Sequence, residues 1–193
     1  AEVGDRFPEM NVLVNNAGIG MVGRLDELPV ADHRQIIDVN LHGVHLGMRA
    51  VKAAMAETRN ASIVNISSID GLVGVLGMTS YSASKFAVRG FSEALRRELA
   101  GSGVCVTYVA PRATRTPLAN VFGRMAEATG MHLDAPQKVA ARVVKAMESD
   151  AKDVYVGFPE CLFVRLNALL PRLVDRALAK QDAVARPFAE EAA

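Results

Sequence analysis

The chain has 193 residues, of which 50% are hydrophobic and 22% charged, and its formal net charge is +1. This length and composition predict one folded domain, and the small net charge excludes a strong electrostatic attraction to nucleic acid. No apolar run reaches the length of a bilayer span, and the first residues lack the basic start and apolar stretch of a signal peptide, so we expect a cytoplasmic protein.

Apolar runs alternate with amphipathic stretches along the chain, and this alternation predicts an α/β fold. Runs rich in β-branched residues predict strands at 12–14, 62–66, 104–109 and 154–156. Helical spacing of apolar residues predicts helices at 30–56, 81–99 and 136–147, with a short helix between Asn120 and Met125. Because the strand runs are apolar on both faces, we expect a parallel sheet covered by helices.

Tyr81 and Lys85 lie four residues apart at the start of a predicted helix, so their side chains share one face. A tyrosine with its ordinary pKa of about 10 is a poor base at neutral pH. An ammonium group about 4 Å away would stabilise the phenolate by on the order of 4 kcal/mol. Ser68 follows a predicted strand, where α/β sheets bind ligands, and its hydroxyl could hold a substrate oxygen while Tyr81 exchanges a proton.

Four motifs share the order and spacing that are typical of short-chain dehydrogenases/reductases: NNAG at 15–18, DVNL at 38–41, VNISS at 64–68 and YSASK at 81–85. The chain resembles this family as far as about Val156. The resemblance implies a Rossmann-like, doubly wound parallel sheet. It also implies an NAD(P)-dependent oxidoreductase that interconverts a secondary alcohol and a ketone.

The resemblance assigns catalytic roles to four residues. Asn40 would hold a proton-relay water through a local helix distortion, and Ser68 would polarise the substrate oxygen. Tyr81 would be the general acid/base, while Lys85 would lower the Tyr81 pKa and bind the nicotinamide ribose. The residues implied in cofactor binding are Asn15, Asn16, Ala17, Gly18, Tyr81, Lys85, Pro111, Thr114 and Thr116. The cofactor is NAD or NADP, because the residues that choose between them follow the family's second strand; no metal is expected.

The segment after the third predicted strand departs from the family's pattern. Relatives have Pro-Gly, a branched apolar residue and then Thr, whereas this chain has PRATRT at 111–116. Pro111 and Thr116 match, and Thr116 is expected to bond the nicotinamide amide. Arg112 replaces a glycine that lets the backbone approach the nicotinamide closely. Its side chain could point to solvent, crowd the site or pair with an anionic substrate group.

Relatives place three strands, and the glycine-rich turn that grips the cofactor phosphates, ahead of the NNAG motif. We therefore expect the first three strands and the glycine-rich loop to be absent here, leaving the 12–15 strand as an unprotected edge and weakening cofactor binding. The segment GIGMVG at 18–23 formally matches G-x-G-x-x-G. However, it does not open directly into a helix, and Asp38 lies in a helical pattern rather than at a strand end. We expect Gly18 and Gly20 to line the cleft instead.

Residues 118–133, which we call the lid, match the family's variable substrate-covering segment. Met125 and Met131 suggest an adaptable apolar pocket, and thus a small hydrophobic alcohol or ketone such as a steroid, retinoid-like or fatty-acyl alcohol. His132 lies in this lid and could touch substrate. His42 and His45 have no carboxylate or cysteine partner at metal-ligand spacing, so we expect them to serve in packing.

We expect residues 1–160 to form the C-terminal portion of one Rossmann-like domain, and 161–193 an amphipathic helix and tail. Arg165, Arg172 and Arg176 are expected on one helical face of 161–180, which fits packing on the body, a dimer or tetramer contact, or a peripheral membrane contact. Cys105 and Cys161 are expected to be reduced. The alternative to an enzyme is a non-catalytic protein that uses the scaffold for binding or assembly, or a truncated inactive form.

Overall fold

A computed structural model describes residues 10–56, 58 and 60–191, without the side chains of residues 56, 160, 161 and 191. Its strands form one parallel sheet in chain order: β1 Val12–Asn15, β2 Ala61–Ile66, β3 Val104–Pro111 and β4 Asp153–Val156. The predicted α/β class and parallel sheet are confirmed. Cys105 is a free thiol, whereas the expectation for the Cys161 thiol lies outside the described side chains.

The α-helices run as α1 Val30–Ile37, α2 Gly43–Ala56, α3 Thr79–Glu98, α4 Gly123–Ala128, α5 Pro136–Glu148, α6 Glu160–Leu169 and α7 Pro171–Glu191. Short 3₁₀ helices span Ile69–Gly71 and Pro117–Phe122. The single helix predicted at 30–56 is interrupted by a π-helical turn, Asp38–His42, so α1 and α2 are joined by a distortion of the kind that recurs at functional sites.

Proline and glycine set the helix boundaries where the sequence places them. Pro136 is the first residue of α5, and Pro171 begins α7 rather than kinking it. Both positions suit proline, which has no N–H to donate in a first helical turn. After α3 the chain turns at Gly101, whose φ of +82° lies in the left-handed region that glycine tolerates best.

Helices cover both faces of the sheet, which makes the sheet doubly wound. On one face α2 and α3 pack on β2 and β3, with Ile63 and Val88 at most 1% exposed. On the other face α5 packs on Val64, Val109 and Val156. In the described residues β1 has one neighbouring strand, β2, and its apolar side chains stay partly in solvent, as expected of an edge.

The last two helices pack on the same core as α2 and α3. Val164 of α6 and Val174 of α7 are 7% and 0% exposed and belong to that core. Asn167 of α6 donates a hydrogen bond to the Leu72 carbonyl at 3.2 Å. Of the alternatives open for this segment, packing on the body is therefore realised for part of each helix.

The prediction of one helical face bearing three arginines is wrong. The helix is interrupted at Leu170, between α6 and α7. Arg165 therefore lies on one helix, while Arg172 and Arg176 lie one turn apart on the next. A proline cannot continue the helix before it, which explains the break before Pro171. Among the helices that the structure describes, none combines the length and hydropathy needed to cross a membrane.

Candidate active site

A cleft of about 1400 Å³ opens at the carboxyl ends of the strands. Parallel strands all end at one edge of the sheet, so the loops that follow β1, β2 and β3 meet there with the start of α3. The residues predicted for the site that line this cleft are Asn16, Ala17, Gly18, Ser68, Tyr81, Lys85, Pro111, Thr114 and Thr116. Sequence positions up to 100 residues apart are thus brought into one cavity.

Tyr81 and Lys85 lie one turn apart in α3, on one face as their spacing predicts. They are 5% and 4% exposed. The Lys85 ammonium lies 5.6 Å from the centre of the Tyr81 ring, and it donates a hydrogen bond to the Ile66 carbonyl at 3.3 Å. The end of β2 therefore fixes the lysine beside the tyrosine.

Ser68 begins a 3₁₀ turn, and its Oγ accepts a hydrogen bond from the Asp70 backbone N–H at 3.2 Å. This turn packs directly on α3 at Gly71. A Cβ at Gly71 would lie 2.7 Å from the Lys85 carbonyl oxygen and 2.8 Å from Ser67 Oγ. Ser67 in turn donates to that carbonyl at 3.0 Å. The absence of a side chain at position 71 thus lets Ser68 approach the helix that carries the tyrosine and lysine.

Asp70 adds a carboxyl group that the sequence patterns did not single out. Burial raises its pKa to about 6, although a hydrogen bond from Ser68 and the charge of Lys85 oppose the rise. Burial also lowers the pKa of Lys85 to about 8, with Asp70 opposing the fall. The loop after β2 therefore sets a weakly acidic carboxyl beside a weakly basic amine.

The pKa of Tyr81 is raised above its ordinary value, first by burial and then by the negative charge of Asp70, while a hydrogen bond from Ser68 lowers it. The physical reason is desolvation, which disfavours the charged phenolate of a ring enclosed by protein. Burial thus favours the protonated phenol, and the expectation that Lys85 lowers the Tyr81 pKa stays a prediction.

Asn40 lies at the centre of the π-helical turn and is 1% exposed. Its Oδ1 accepts from the Ile19 N–H at 2.8 Å, and its Nδ2 donates to the Ile19 carbonyl and to Ser84 Oγ, each at 2.9 Å. A Cβ at Gly18 would lie 3.3 Å from Lys85 Nζ and 3.4 Å from Asn40 Oδ1. The helix distortion that the resemblance implied is present, and the Asn40 amide bonds to Ile19 and Ser84 and is not among the groups that line the cleft.

The GIGMVG segment is a loop that packs against α3. A Cβ at Gly20 would lie 3.2 Å from the Tyr81 ring and 3.4 Å from Leu118. The next helix starts only at Val30, and Asp38 lies in the π-helical turn rather than at a strand end. Gly18 lines the cleft, whereas Gly20 is buried and is not among the lining residues, and the segment is not a turn that opens directly into a helix.

Asn15 stands apart from the other residues of its motif. Its Nδ2 donates to Asn65 Oδ1 at 2.8 Å, and Asn65 donates to Ser92 Oγ at 2.9 Å. A Cβ at Gly47 would lie 2.8 Å from Asn15 Oδ1. The Asn15 side chain ties β1 to β2 and to the helix layer, and it is not among the residues that line the cleft.

Arg112 does not point to solvent, so that interpretation of the glycine replacement is wrong. Its guanidinium lies 2.8 and 3.0 Å from the two carboxylate oxygens of Asp134, and its side chain is 11% exposed. The partner lies 22 positions further along the chain, beyond the lid, where no local pattern could indicate it.

The histidines have roles outside metal binding. His42 pairs with Asp38 at 2.8 Å on an exposed surface, so the expectation that it lacks a carboxylate partner is wrong; this partner lies one helical turn away. His45 packs edge-on against Phe91, with ring centres 6.1 Å apart. His132 lines the cleft. Within the described residues, no three His, Cys, Asp or Glu side chains are grouped so that they could hold a metal ion.

The family model of the short chain dehydrogenases matches residues 1–127. The chain belongs to this family. The resemblance drawn from its four motifs is thereby confirmed, and the Rossmann-like fold is that of the family's solved structures.

Two relatives show how the chain compares in sequence with other members of this family. A 3-alpha-(or 20-beta)-hydroxysteroid dehydrogenase of Mycobacterium tuberculosis is 45% identical over 112 residues, which are 58% of this chain and 43% of that protein. A 3-oxoacyl-[acyl-carrier-protein] reductase of Thermotoga maritima is 35% identical over 162 residues, 81% of this chain and 65% of the relative. The chain spans about half the length of the curated relatives it matches.

Solved short chain dehydrogenases superpose on most of the fold. One from Burkholderia cenocepacia, in complex with NADP, has a TM-score of 0.81 at 26% identity and covers 92% of this chain and 72% of its own. One from Burkholderia phymatum, in complex with NAD, has a TM-score of 0.76 at 26% identity and covers 89% of this chain and 70% of its own.

Proposed function

We propose that the protein is an NAD(P)-dependent oxidoreductase that interconverts a secondary alcohol and a ketone, with Tyr81 as the acid–base residue. The observation that carries this proposal is the convergence of Ser68, Tyr81 and Lys85 on one cleft, beside the close-packed Gly18. A hydroxyl, a phenol and an ammonium group around one point suit proton transfer to and from an oxygen atom.

The cleft has the donors and the space for the nicotinamide end of a dinucleotide. Gly18 brings its backbone close to Lys85 Nζ, where a Cβ would already lie 3.3 Å away, so a flat group can approach the ammonium. Thr114 and Thr116 line another wall. We propose that these residues hold the cofactor, together with Asn16, Ala17 and Pro111. When bound, NAD or NADP supplies or accepts the hydride and, in its oxidised form, adds a positive charge.

The chain's own residues account for the proton. Ser68 Oγ would hold the substrate oxygen by a hydrogen bond. In ketone reduction Tyr81, which burial keeps protonated, donates its proton to that oxygen. In alcohol oxidation Tyr81 must act as a phenolate, which burial and Asp70 disfavour and which the positive charges in the cleft favour. Asn40 would relay the proton onward through a water held at its helix distortion.

The lid supports a small hydrophobic substrate. Its side chains on the cleft include Leu118, Phe122, Met125 and Met131, and the Phe122 ring lies 6.5 Å from the Tyr81 ring in an edge-on arrangement. An apolar wall with flexible methionines accommodates apolar carbon skeletons of different shapes. The names of relatives that act on hydroxysteroids and oxoacyl groups support an apolar alcohol or ketone as the substrate class.

Turnover by the full-length gene product tests the proposed function. We expect NAD(P)-dependent oxidation of at least one member of a panel of hydrophobic secondary alcohols, followed by nicotinamide absorbance. Tyr81→Phe should reduce kcat by about 10²–10⁴-fold, since it removes the proton-transferring group. Tyr155→Phe is the matched control, because Tyr155 lies on β4 outside the cleft. Absence of turnover across the panel would favour a non-catalytic binding or assembly protein.

Homo-oligomer formation and membrane contact through residues 161–180 stay predictions, as does the cytoplasmic location. Leu169 and Leu173 are 78% and 50% exposed, which supports a contact with another surface. Light scattering of the purified protein measures the oligomeric state. Co-sedimentation with lipid vesicles tests the membrane alternative, and both measurements should respond to Leu169→Ser and Leu173→Ser.

A further inference from the structure

Arg112 and Asp134, which flank the lid in sequence, form a buried ion pair. The guanidinium Nε and Nη2 lie 2.8 and 3.0 Å from separate oxygens of the Asp134 carboxylate, and Nη1 donates to the Phe158 carbonyl at 3.3 Å. The Asp134 side chain is 2% exposed and that of Arg112 is 11% exposed. Two parallel hydrogen bonds between a guanidinium and a carboxylate fix the relative orientation of the two groups as well as their distance, whereas a single contact from a lysine ammonium fixes only the distance.

The backbone reinforces this pair. The Arg115 N–H donates to the Asp134 carbonyl and the Asp134 N–H donates to the Ala113 carbonyl, each at 2.9 Å, so Thr114 and Asp134 form a short parallel bridge. Thr114, which follows β3, and Asp134, which precedes α5, are therefore held side by side at the carboxyl edge of the sheet. The segment between these two residues, which includes the lid with its 3₁₀ helix and α4, is therefore closed at its base.

The lid contributes side chains that pack beside the catalytic tyrosine. The Phe122 ring meets the Tyr81 ring edge-on at 6.5 Å. Leu118 reaches Gly20, where a Cβ would lie 3.4 Å from the Leu118 methyl group. The position of the lid therefore determines where the apolar side chains Leu118 and Phe122 lie beside Tyr81.

Two further side chains lie near the same Asp134 carboxylate. Lys138, in the first turn of α5, lies 2.7 Å from Oδ1, and His132 Nε2 lies 3.6 Å from it. The pKa of Asp134 is held well below its usual range, mainly by Arg112. A carboxylate this buried depends on its partner, because an unpaired buried charge is strongly destabilising.

We propose that the Arg112–Asp134 pair is a clasp that holds the base of the lid closed and so positions Phe122, Leu118 and the rim residues Thr114 and Thr116 around the cleft. Arg112 is then a positioning residue and not a binding group for an anionic substrate, because Nε and Nη2 of its guanidinium already bond to the Asp134 carboxylate. The catalytic consequence of the clasp rests on the proposed function, whereas its effect on the lid does not.

Hydrogen exchange of the full-length gene product tests the clasp directly. In Arg112→Gln we expect the amides of residues 115–133 to exchange at least tenfold faster, with those of β2 and β3 unchanged. Arg89→Gln is the matched control, since it breaks the Arg89–Glu93 pair, at 3.1 Å, on the surface of α3. Unchanged exchange in the lid of a folded Arg112→Gln variant would overturn the proposal.

A double variant in which the two charges are exchanged keeps the proposal testable if a single variant does not fold. If Asp134→Arg and Arg112→Asp each unfold the protein or free the lid, their combination should restore at least part of the lid's protection when Lys138→Gln removes the lysine that lies 2.7 Å from the Asp134 carboxylate. Failure of the combination to protect the lid beyond either single variant counts against a direct pair.

Kinetics distinguish a clasp from a substrate-binding arginine. With a neutral alcohol as substrate, Arg112→Gln should raise KM at least fivefold with a smaller change in kcat, and Arg112→Lys should rescue part of the loss. A variant whose KM rises only for anionic substrates would contradict the clasp. If the wild-type protein shows no turnover, the proposed function fails, while the exchange experiment still decides the clasp.

Discussion

The Asn40 side-chain amide bonds to both backbone groups of Ile19. It accepts a hydrogen bond from the Ile19 N–H at 2.8 Å and donates one to the Ile19 carbonyl at 2.9 Å. The same amide donates to Ser84, whose hydroxyl donates to the Tyr81 carbonyl at 2.7 Å. A continuous chain of hydrogen bonds therefore links the glycine segment after β1 to the helix that carries the tyrosine. The π-helical turn places Asn40 where it can reach both.

Asn40→Ala should destabilise the protein by about 1–3 kcal/mol, because it leaves partly buried backbone groups of Ile19 without their side-chain partner. The midpoint of urea unfolding measures this change. Asn11→Ala is the control, since Asn11 is exposed just before β1, and it should stay within about 0.5 kcal/mol of the wild type. Equal midpoints for the two variants would show that the Asn40 bonds contribute little.

Gly71→Ala should also destabilise, by about 1–3 kcal/mol, since its new methyl group would meet the Lys85 carbonyl 2.7 Å away. Catalytic activity should fall as well, because the turn that carries Ser68 must move off α3. Gly90→Ala should change the stability in the opposite direction. Gly90 lies exposed within α3 with nothing near its Cβ position, so alanine there should stabilise by about 0.5–1 kcal/mol. Thermal unfolding of the two variants should shift in opposite directions.

Asp70→Asn should move the pH profile of alcohol oxidation to lower pH. The Asp70 charge raises the Tyr81 pKa, so its removal makes the working phenolate easier to form. The measurement is kcat/KM for the alcohol against pH. Asp182→Asn is the control, because Asp182 lines the same cleft from α7. A profile that stays in place in Asp70→Asn would mean that this charge does not act on Tyr81.

Asp70 should also make stability depend on pH. Its folded pKa of about 6 lies above the ordinary 3.8, so the folded state binds the proton more tightly than the unfolded state. Unfolding free energy should therefore rise as pH falls from about 6 to about 4, and Asp70→Asn should abolish that rise. At pH 7 the asparagine variant should be more stable by about 1–3 kcal/mol, since each pKa unit corresponds to about 1.4 kcal/mol. Urea titrations across this range measure both effects.

Much of the fold follows from patterns between near neighbours in the chain. The strand at 62–66 and the helix begun by Pro136 agree with the structure within about one residue, because side-chain periodicity and proline geometry act over a few residues. Pro171 was expected to begin or kink a helix, and it begins α7 after a break at Leu170, whereas the arginine face predicted across that break was wrong.

The sequence by itself determined the family, the order of the elements and the spacing that places Tyr81 beside Lys85, because all of these depend on short-range patterns along one chain. Only the tertiary structure decided what surrounds them. Arg112 meets Asp134 across the lid, and Asp70 lies close enough to disfavour the Tyr81 phenolate. Burial and long-range pairing depend on how distant loops come together, and these two effects set the charges in the cleft.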